Sequence, residues 1–311
     1  MQEVAVIIPC LNEGDGVGGV IREFRAALPQ ATIYVCDNGS TDETSICARE
    51  AGAIVYQESC RGKGNAVKRM FADVEAEVYV LVDGDGTYDP ADVQELVRRV
   101  EKEQFDMVTA SRRESYAESG SRVGHEFGNR LITSSVNLLF NVELADVLSG
   151  YRAMSRRYVK SAPVLVSGFE VETMLTIHGL EVGATMIEIP TTYRRRPTGT
   201  NSKLRTWHDG FRILQTIVYF FKEIRPFVFF SLIAVLFVSA GLFLGIPVIL
   251  EFMETGLVPR FPTALLATGL MVLASISLVS GMILDSVALQ RREMKRFAYL
   301  GNPAPKGSRE G

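Results

Sequence analysis

What the sequence lacks narrows it first. Its four cysteines, Cys10, Cys36, Cys47 and Cys60, form no CxxC pair and have no histidine at ligand spacing. That argues against a zinc site or disulfides and for reduced, mostly buried thiols in a cytosolic domain. None of its three histidines, His125, His178 and His208, has a neighbouring pattern that suggests catalysis. The opening residues run directly into a strand-like stretch, so no signal peptide is expected. Charge is nearly absent from Phe227 to Ala288. With 47% hydrophobic residues the composition is not that of a disordered chain. The net charge of -3 says little about partners because it averages over clustered basic residues, and no nucleic-acid partner is expected.

The charge-poor region holds two apolar runs, Phe227 to Leu250 and Thr263 to Leu284. Each exceeds the roughly 20 residues that cross about 30 Å of hydrocarbon as a helix. Glu251 to Pro262, carrying Glu251, Glu254 and Arg260, suits a short external hairpin loop. Arg194, Arg195, Arg196, Lys203, Arg205, Arg212, Lys222 and Arg225 precede the first run, and Arg291, Arg292, Lys295 and Arg296 follow the second. Basic residues at both outer ends predict both termini in the cytoplasm of a two-span cell-membrane protein. Between the basic tract and the first run, Phe211 to Ile224 has apolar residues at helical spacing and predicts an interfacial helix. The spans hold no internal ionisable residue, which excludes the proton or ion relay of a transporter.

The first two hundred residues alternate apolar β-branched runs with helical patterns. Strands are expected at Val4 to Pro9, Thr32 to Asp37, Ala53 to Tyr56, Val78 to Asp83 and Met107 to Ser111. Helices are expected after the first strand, through Val17, Val20, Ile21, Phe24 and Leu28, and near Gly64 to Ala72 and Ala91 to Glu101. Ser40 with Glu43 reads as a capping box, and Asp89 before Pro90 as an N-cap. This order predicts an α/β domain whose mostly parallel sheet is covered on both faces. Ligands in such sheets bind beyond the carboxyl ends of the strands. The expected organisation is a catalytic domain over 1–210, an interfacial helix over 211–225, two spans over 226–289 and a basic tail over 290–311.

Polar clusters follow the strands at those ends: Pro9 to Glu13, Asp37 to Asp42, and Asp83-Gly84-Asp85. Two carboxylates one residue apart converge on one point, a suitable set for Mg²⁺ or Mn²⁺ shared with a diphosphate. Taken alone, such a pair is most often a solvated turn. The loop Arg61-Gly62-Lys63-Gly64-Asn65-Ala66 opens a helix with glycines that allow close backbone approach and cations that suit phosphate.

In this order and spacing the clusters resemble the family 2 glycosyltransferases of GT-A fold, in particular the dolichol-phosphate mannose synthases and bacterial polyprenyl-phosphate glycosyltransferases. The resemblance is carried by PCLNE at 9–13, CDNGSTDET at 36–44, RGKGNA at 61–66, DGDGTYDP at 83–90, ADVLSGYRAMSR at 145–156 and GFEVET at 168–173. It implies transfer of a hexose from a nucleotide-sugar with a divalent metal. It implies donor contacts from Pro9, Asn12, Glu13, Asp37, Gly39, Ser40, Lys63, Gly64, Asp83 and Gly84, and a metal on Asp83 and Asp85. It implies catalytic roles for Asp85, Asp146, Arg152, Glu170 and Glu172, with Ser149 beside sugar and acceptor. Many relatives carry Gln where Thr87 stands, so Thr87 carries over only weakly as a metal ligand. The QxxRW signature of the processive synthases is absent.

A sugar hydroxyl needs a general base, whereas a phosphomonoester, with a second pKa near 6, is already ionised at neutral pH. Cations suited to hold one are abundant: Arg112, Arg113, Arg122 and Arg130 after the acidic pair, and Arg194, Arg195, Arg196 and Lys203 before the interfacial helix. A polyprenyl phosphate is therefore the expected acceptor, with Arg112, Arg130, Arg194, Arg196 and Lys203 as its contacts. The alternatives are a hydroxyl acceptor served by Asp146, Glu170 or Glu172, a non-catalytic membrane scaffold, and a nucleotidyltransferase. The last wants cations in its N-terminal glycine loop, and PCLNEGDG has none. Homo-oligomerisation is left open.

Overall fold

A computed structural model of the chain describes residues 2–112, 123–168, 170–192, 194 and 206–305. The chain divides into two compact units, Met1–Ile213 with Met294–Gly311, and Leu214–Glu293.

The first unit is a seven-stranded sheet. Its strands are β1 (Gln2–Cys10), β2 (Thr32–Asp37), β3 (Ile54–Gln57), β4 (Ala76–Leu81), β5 (Met107–Ser111), β6 (Arg152–Ser155) and β7 (Met186–Pro190). They lie in the order β3-β2-β1-β4-β6-β5-β7, and β6 runs antiparallel to both its neighbours while the other pairings are parallel. Interleaved are α1 (Gly14–Ala27), α2 (Thr44–Glu50), α3 (Lys63–Asp73), α4 (Val93–Glu101), α5 (Val123–Phe140), α6 (Arg156–Ser161) and α7 (Val171–Val182).

The run VAVIIP is apolar at every position because both faces of β1 are covered. Val4, Val6 and Ile8 pack with Val17, Ile21 and Phe24 of α1 and with Leu96 of α4. Ala5 and Ile7 point the other way, to Val67, Met70 and Phe71 of α3 and to Leu175 of α7. The expected strands and helices are present, and Asp89 accepts the Ala91 N–H at 3.0 Å as an N-cap. The Ser40 capping box does not form. Helix α2 starts at Thr44 without a side-chain cap, because Ser40 accepts the N–H of Asn12 from the neighbouring loop instead.

The antiparallel β6 decides where the site lies. A strand inserted in reverse begins where its neighbours end, so Arg152 stands opposite Leu81 and Thr109. The segment before it, Leu144 to Tyr151, is thereby delivered to the carboxyl ends of the parallel strands.

At the opposite end of the sheet, Asp106 is fully buried. It accepts from Arg157 Nε (2.7 Å), from Ser155 Oγ and Thr185 Oγ1 (both 2.9 Å), and from the Tyr299 hydroxyl (2.6 Å). Lys295 pairs with Glu181 at 2.5 Å, and Arg296 donates to the Val182 carbonyl. Residues read from sequence as a basic tail are thus engaged with this unit.

The second unit contains the end of α8 (Thr206–Ile224), α9 (Pro226–Thr255) and most of α10 (Phe261–Leu300). The last two are long and apolar enough to cross a membrane, and they leave large side chains such as Leu236, Phe243 and Leu265 exposed. The turn between them is shorter than expected, because α9 runs on to Thr255. Close approach comes from small residues: an added Cβ at Gly281 would lie 2.9 Å from Phe230, and one at Gly245 3.5 Å from Ala267.

His178 on α7 is buried against Tyr158 and Ser161. Burial, aided by the charge of Lys295, pushes its pKa down to about 3. The ring stays neutral in the folded chain while the unfolded chain takes up a proton below about pH 6.5. Its contribution is therefore complete above pH 6.5 and declines as pH falls toward 3, by at most about 1.4 kcal/mol per pH unit. Asp106 acts in the same direction lower down. Burial raises its carboxyl, but the hydrogen bonds from Arg157, Tyr299 and Thr185 outweigh burial and hold it below the usual range. His178→Gln should flatten the loss of thermal stability between pH 6.5 and 4.5 in melts followed by circular dichroism, and leave the steeper loss below about pH 4 in place.

Candidate active site

The loops after β1 and β2 are knitted together by their polar side chains. Asn12 adopts a left-handed backbone, with φ 52°, which asparagine tolerates. Its N–H donates to Ser40 Oγ at 2.9 Å, and its Oδ1 accepts the Thr41 N–H at 2.8 Å. The Glu13 N–H donates to Thr44 Oγ1 at 2.9 Å and that of Gly14 to Asp42 at 3.0 Å. Pro9, next to last in β1, lies opposite Cys36. Asp37, ending β2, accepts the Ser40 N–H at 2.9 Å and the Ser45 hydroxyl. Burial raises its carboxyl, yet these bonds and Gln57 hold it below the usual range. Gly39, with φ 77°, makes the turn between.

Asn38 carries the order into the basic loop. Its amide donates to the carbonyls of Glu58 (3.2 Å) and Cys60 (2.7 Å) and accepts the Gly62 N–H (2.5 Å). The loop's glycines make room for protein backbone. A Cβ at Gly62 would overlap the Ser167 carbonyl, and one at Gly64 the Val166 carbonyl, while the Gly64 N–H donates to Ser167 O at 3.0 Å. The basic loop after β3 and the segment before α7 are in direct contact.

Lys63 closes that contact. Its ammonium is bound by Asp83, at 2.5 Å, and by Glu172 in the first turn of α7. Burial would lower the lysine pKa, but the two carboxylates outweigh it and keep Lys63 charged. Burial also pushes Glu172 up, against the opposing pull of Lys63. Asp83 is confined from the far side by Gly150, where an added Cβ would lie 2.6 Å from its Oδ2. At Gly84 a Cβ would sit 2.6 Å from Cys10 Sγ, so any side chain there would have to displace the buried thiol. Asp85 is oriented by Thr87, whose hydroxyl donates to Oδ1 at 2.6 Å and whose N–H donates at 3.2 Å. Thr87 is fully buried in that role.

The donor set fits a hard divalent cation. Asp83 and Asp85 offer carboxylate oxygens on one tight turn, and no group of three His, Cys, Asp or Glu forms a cage among the described residues. A pair of this kind suits Mg²⁺ or Mn²⁺ that takes its other ligands from phosphate and water. Each has one oxygen engaged, Asp83 by Lys63 and Asp85 by Thr87.

Asp146 is buried and forms a two-point ion pair with Arg112, Nε to Oδ2 at 2.7 Å and an Nη to Oδ1 at 2.9 Å. Burial raises its carboxyl, and the hydrogen bonds and charge of Arg112 hold it below the usual range. Ser149 donates to the Ala110 carbonyl at 2.5 Å. Arg152 lies beneath this loop and is fully buried. It donates to the carbonyls of Val147 (2.7 Å) and Ser149 (2.9 Å) and to Thr176 (2.9 Å). That is a strut under the loop, without the access to substrate that a catalytic role requires. Glu170 stands at the N-cap position of α7, two residues before Glu172.

The proposed phosphate contacts are scattered. Arg112 joins the cluster. Arg130 is exposed on α5. Arg194 pairs with Glu23 and Asp89, both at 2.9 Å, and its N–H donates to Thr87 O at 2.7 Å, so it braces the acidic turn. Arg196 and Lys203 lie outside the described residues, as do Arg113, Arg122 and Arg195. Sequence reasoning missed Asn38, Gly150 and Glu188, the last of which accepts the N–H groups of Ala145 (2.6 Å) and Asp146 (3.1 Å). Asn38 and Gly150 had a signal, their places inside the CDNGSTDET and SGYR runs, and Glu188 had none.

Comparison with known proteins agrees with this geometry. The family model described as Glycosyl transferase family 2 matches residues 5–162. Glycosyltransferase AglJ of Haloferax volcanii is 28% identical over 299 residues, spanning 96% of this chain and 98% of its own. Polyprenol monophosphomannose synthase of Mycolicibacterium smegmatis is 26% identical over 217 residues, 64% of this chain and 80% of its own. Among solved structures, Mycobacterium tuberculosis glucosyl-3-phosphoglycerate synthase with Mn²⁺, uridine-diphosphate and phosphoglyceric acid aligns with a TM-score of 0.55. The identity is 26%, over 71% of this chain and 78% of that one.

Because Gly64 touches backbone, Gly64→Ala should destabilise the first unit by about 1–3 kcal/mol, the cost of overpacking a rigid contact. Thermal unfolding of the variant against Gly19→Ala, where an added Cβ meets nothing within 4 Å, checks this.

Proposed function

The chain belongs to glycosyl transferase family 2 and is a glycosyltransferase of GT-A fold, and from that premise we propose that it moves a hexose, with inversion, from a nucleotide-sugar to a polyprenyl phosphate at the cytoplasmic face of a membrane. One observation carries the acceptor reading. The loop 146–150 rests on Asp83 at one end and, through Asp146, aims an arginine at the other. The short loop that meets Asp83 therefore also carries, at its other end, a cation suited to a phosphate oxyanion. The two apolar helices and the likeness to a polyprenol monophosphomannose synthase support a lipid acceptor.

In this reading Glu13, Asp37 and their knitted loops receive the base and ribose, and Lys63 and Asp83 lie toward the diphosphate. A bound Mg²⁺ or Mn²⁺, held by Asp85 and Asp83, supplies charge stabilisation for the leaving diphosphate. Arg112 orients the acceptor phosphate, which is already ionised and needs no protein base. Of the three carboxylates the hydroxyl-acceptor alternative could use as a base, Asp146 and Glu172 are committed to cations, which leaves Glu170 as its candidate. The basic residues flanking both apolar helices support cytoplasmic termini.

Purified protein in detergent, incubated with Mg²⁺ or Mn²⁺, a short polyprenyl phosphate and a panel of labelled nucleotide-sugars, should place label in the organic phase from one donor. EDTA should abolish transfer, and Asp85→Asn should lower it roughly 100-fold or more. Metal-dependent donor binding with no labelled lipid from any donor would sink the lipid-phosphate reading.

A further inference from the structure

The segment Leu144 to Gly150 belongs to no strand or helix, since β6 begins only at Arg152. It borders a small cavity of about 20 Å³ lined by Leu144, Asp146, Thr176 and Glu188 among others. Its position rests on side chains reaching in from other elements. Asn137 of α5 bonds both backbone groups of Leu144, each at 3.0 Å. Arg152 takes the carbonyls of Val147 and Ser149 from below. At the Asp83 end, Ser149 is held by Ala110 O, and the Gly150 N–H by the Tyr88 hydroxyl at 2.9 Å.

At the Arg112 end the anchor is Glu188 of β7. Its two carboxylate oxygens accept consecutive N–H groups, Ala145 to Oε2 at 2.6 Å and Asp146 to Oε1 at 3.1 Å. Two charge-assisted bonds to adjacent amides fix direction as well as distance, which a single bond does not. The residue whose amide is clasped is also the one whose carboxylate grips Arg112 in two-point geometry. Displacing that backbone displaces the guanidinium.

We propose that Glu188 is a positioning residue for the acceptor: by clasping residues 145 and 146 it sets Asp146 and, through it, the reach of Arg112. This rests on the reading of Arg112 as the acceptor-phosphate contact. The donor loops are held by separate bonds, so loss of the clasp should leave donor use alone.

The test uses the full chain in detergent with Glu188→Gln, which keeps one acceptor oxygen, and Glu188→Ala, which keeps none. Amide hydrogen exchange over residues 144–149 should quicken in Glu188→Ala. Its KM for polyprenyl phosphate should rise roughly tenfold, with Glu188→Gln between it and the parent. The KM for the nucleotide-sugar should stay within about twofold. Unchanged exchange in Glu188→Ala overturns the clasp whatever the acceptor is. Faster exchange with an unchanged acceptor KM, or with both KM values rising together, overturns the positioning role. Arg112→Ala, measured in parallel, separates the two ideas, because an unchanged acceptor KM there defeats the acceptor reading independently of the exchange result.

Discussion

Two carboxylates and one ammonium occupy the centre of the candidate site, and the arrangement around them follows from their electrostatics. Asp83 comes from the turn after β4 and Glu172 from the first turn of α7, and they meet only because Lys63 stands between them. Without that ammonium the two negative charges would repel in a poorly solvated space, and Glu172 is too deeply buried to be hydrated. A buried ion pair of this kind adds little to stability by itself. What it supplies is register: the basic loop, the acidic turn and α7 share one point, and each can sit in only one way relative to the others.

The surrounding backbone has adapted to that point. Gly62 and Gly64 let the loop before α7 lie directly on the basic loop, and Gly150 lets the segment before β6 lie directly on Asp83. The reversal of β6 makes the second approach possible, since a parallel strand in that place would deliver its preceding segment to the far end of the sheet. Topology thus supplies the loop before β6, glycine supplies its proximity to Asp83, and Asn137, Arg152 and Glu188 hold it.

Much of this was legible in the sequence where the signal is local. Unbroken apolar runs such as VAVIIP marked strands covered on both faces, and polar clusters immediately after them marked the site edge. The Asp89-Pro90 pair marked a helix start for the same reason. The failures share a different cause. Ser40 and Glu43 have capping-box spacing, yet Ser40 is drawn to Asn12, 28 residues away. The loop glycines suggested a phosphate cradle, but the group they admit is backbone from residues 166 and 167. Arg152 sits in the run that carries the family resemblance and turns beneath the loop as a strut. Glu188 reads as an ordinary strand residue, because its partners lie 42 and 43 residues earlier and leave no periodic trace. Side chains whose role is to hold another segment in place are set by contacts that sequence spacing does not record.

The place of residues 294–302 has a consequence for how the molecule is made. Asp106 is buried among strands formed early in the chain, yet one of its hydrogen-bond donors, Tyr299, is 193 residues further on. During synthesis the first unit must therefore wait, with that acceptor incompletely paired, until both apolar helices have been translated. Folding of the catalytic half and synthesis of the apolar half become coupled in time, since non-local contacts of this length form late. A chain stalled after its first 213 residues would carry every candidate site residue and still lack a part of its own foundation.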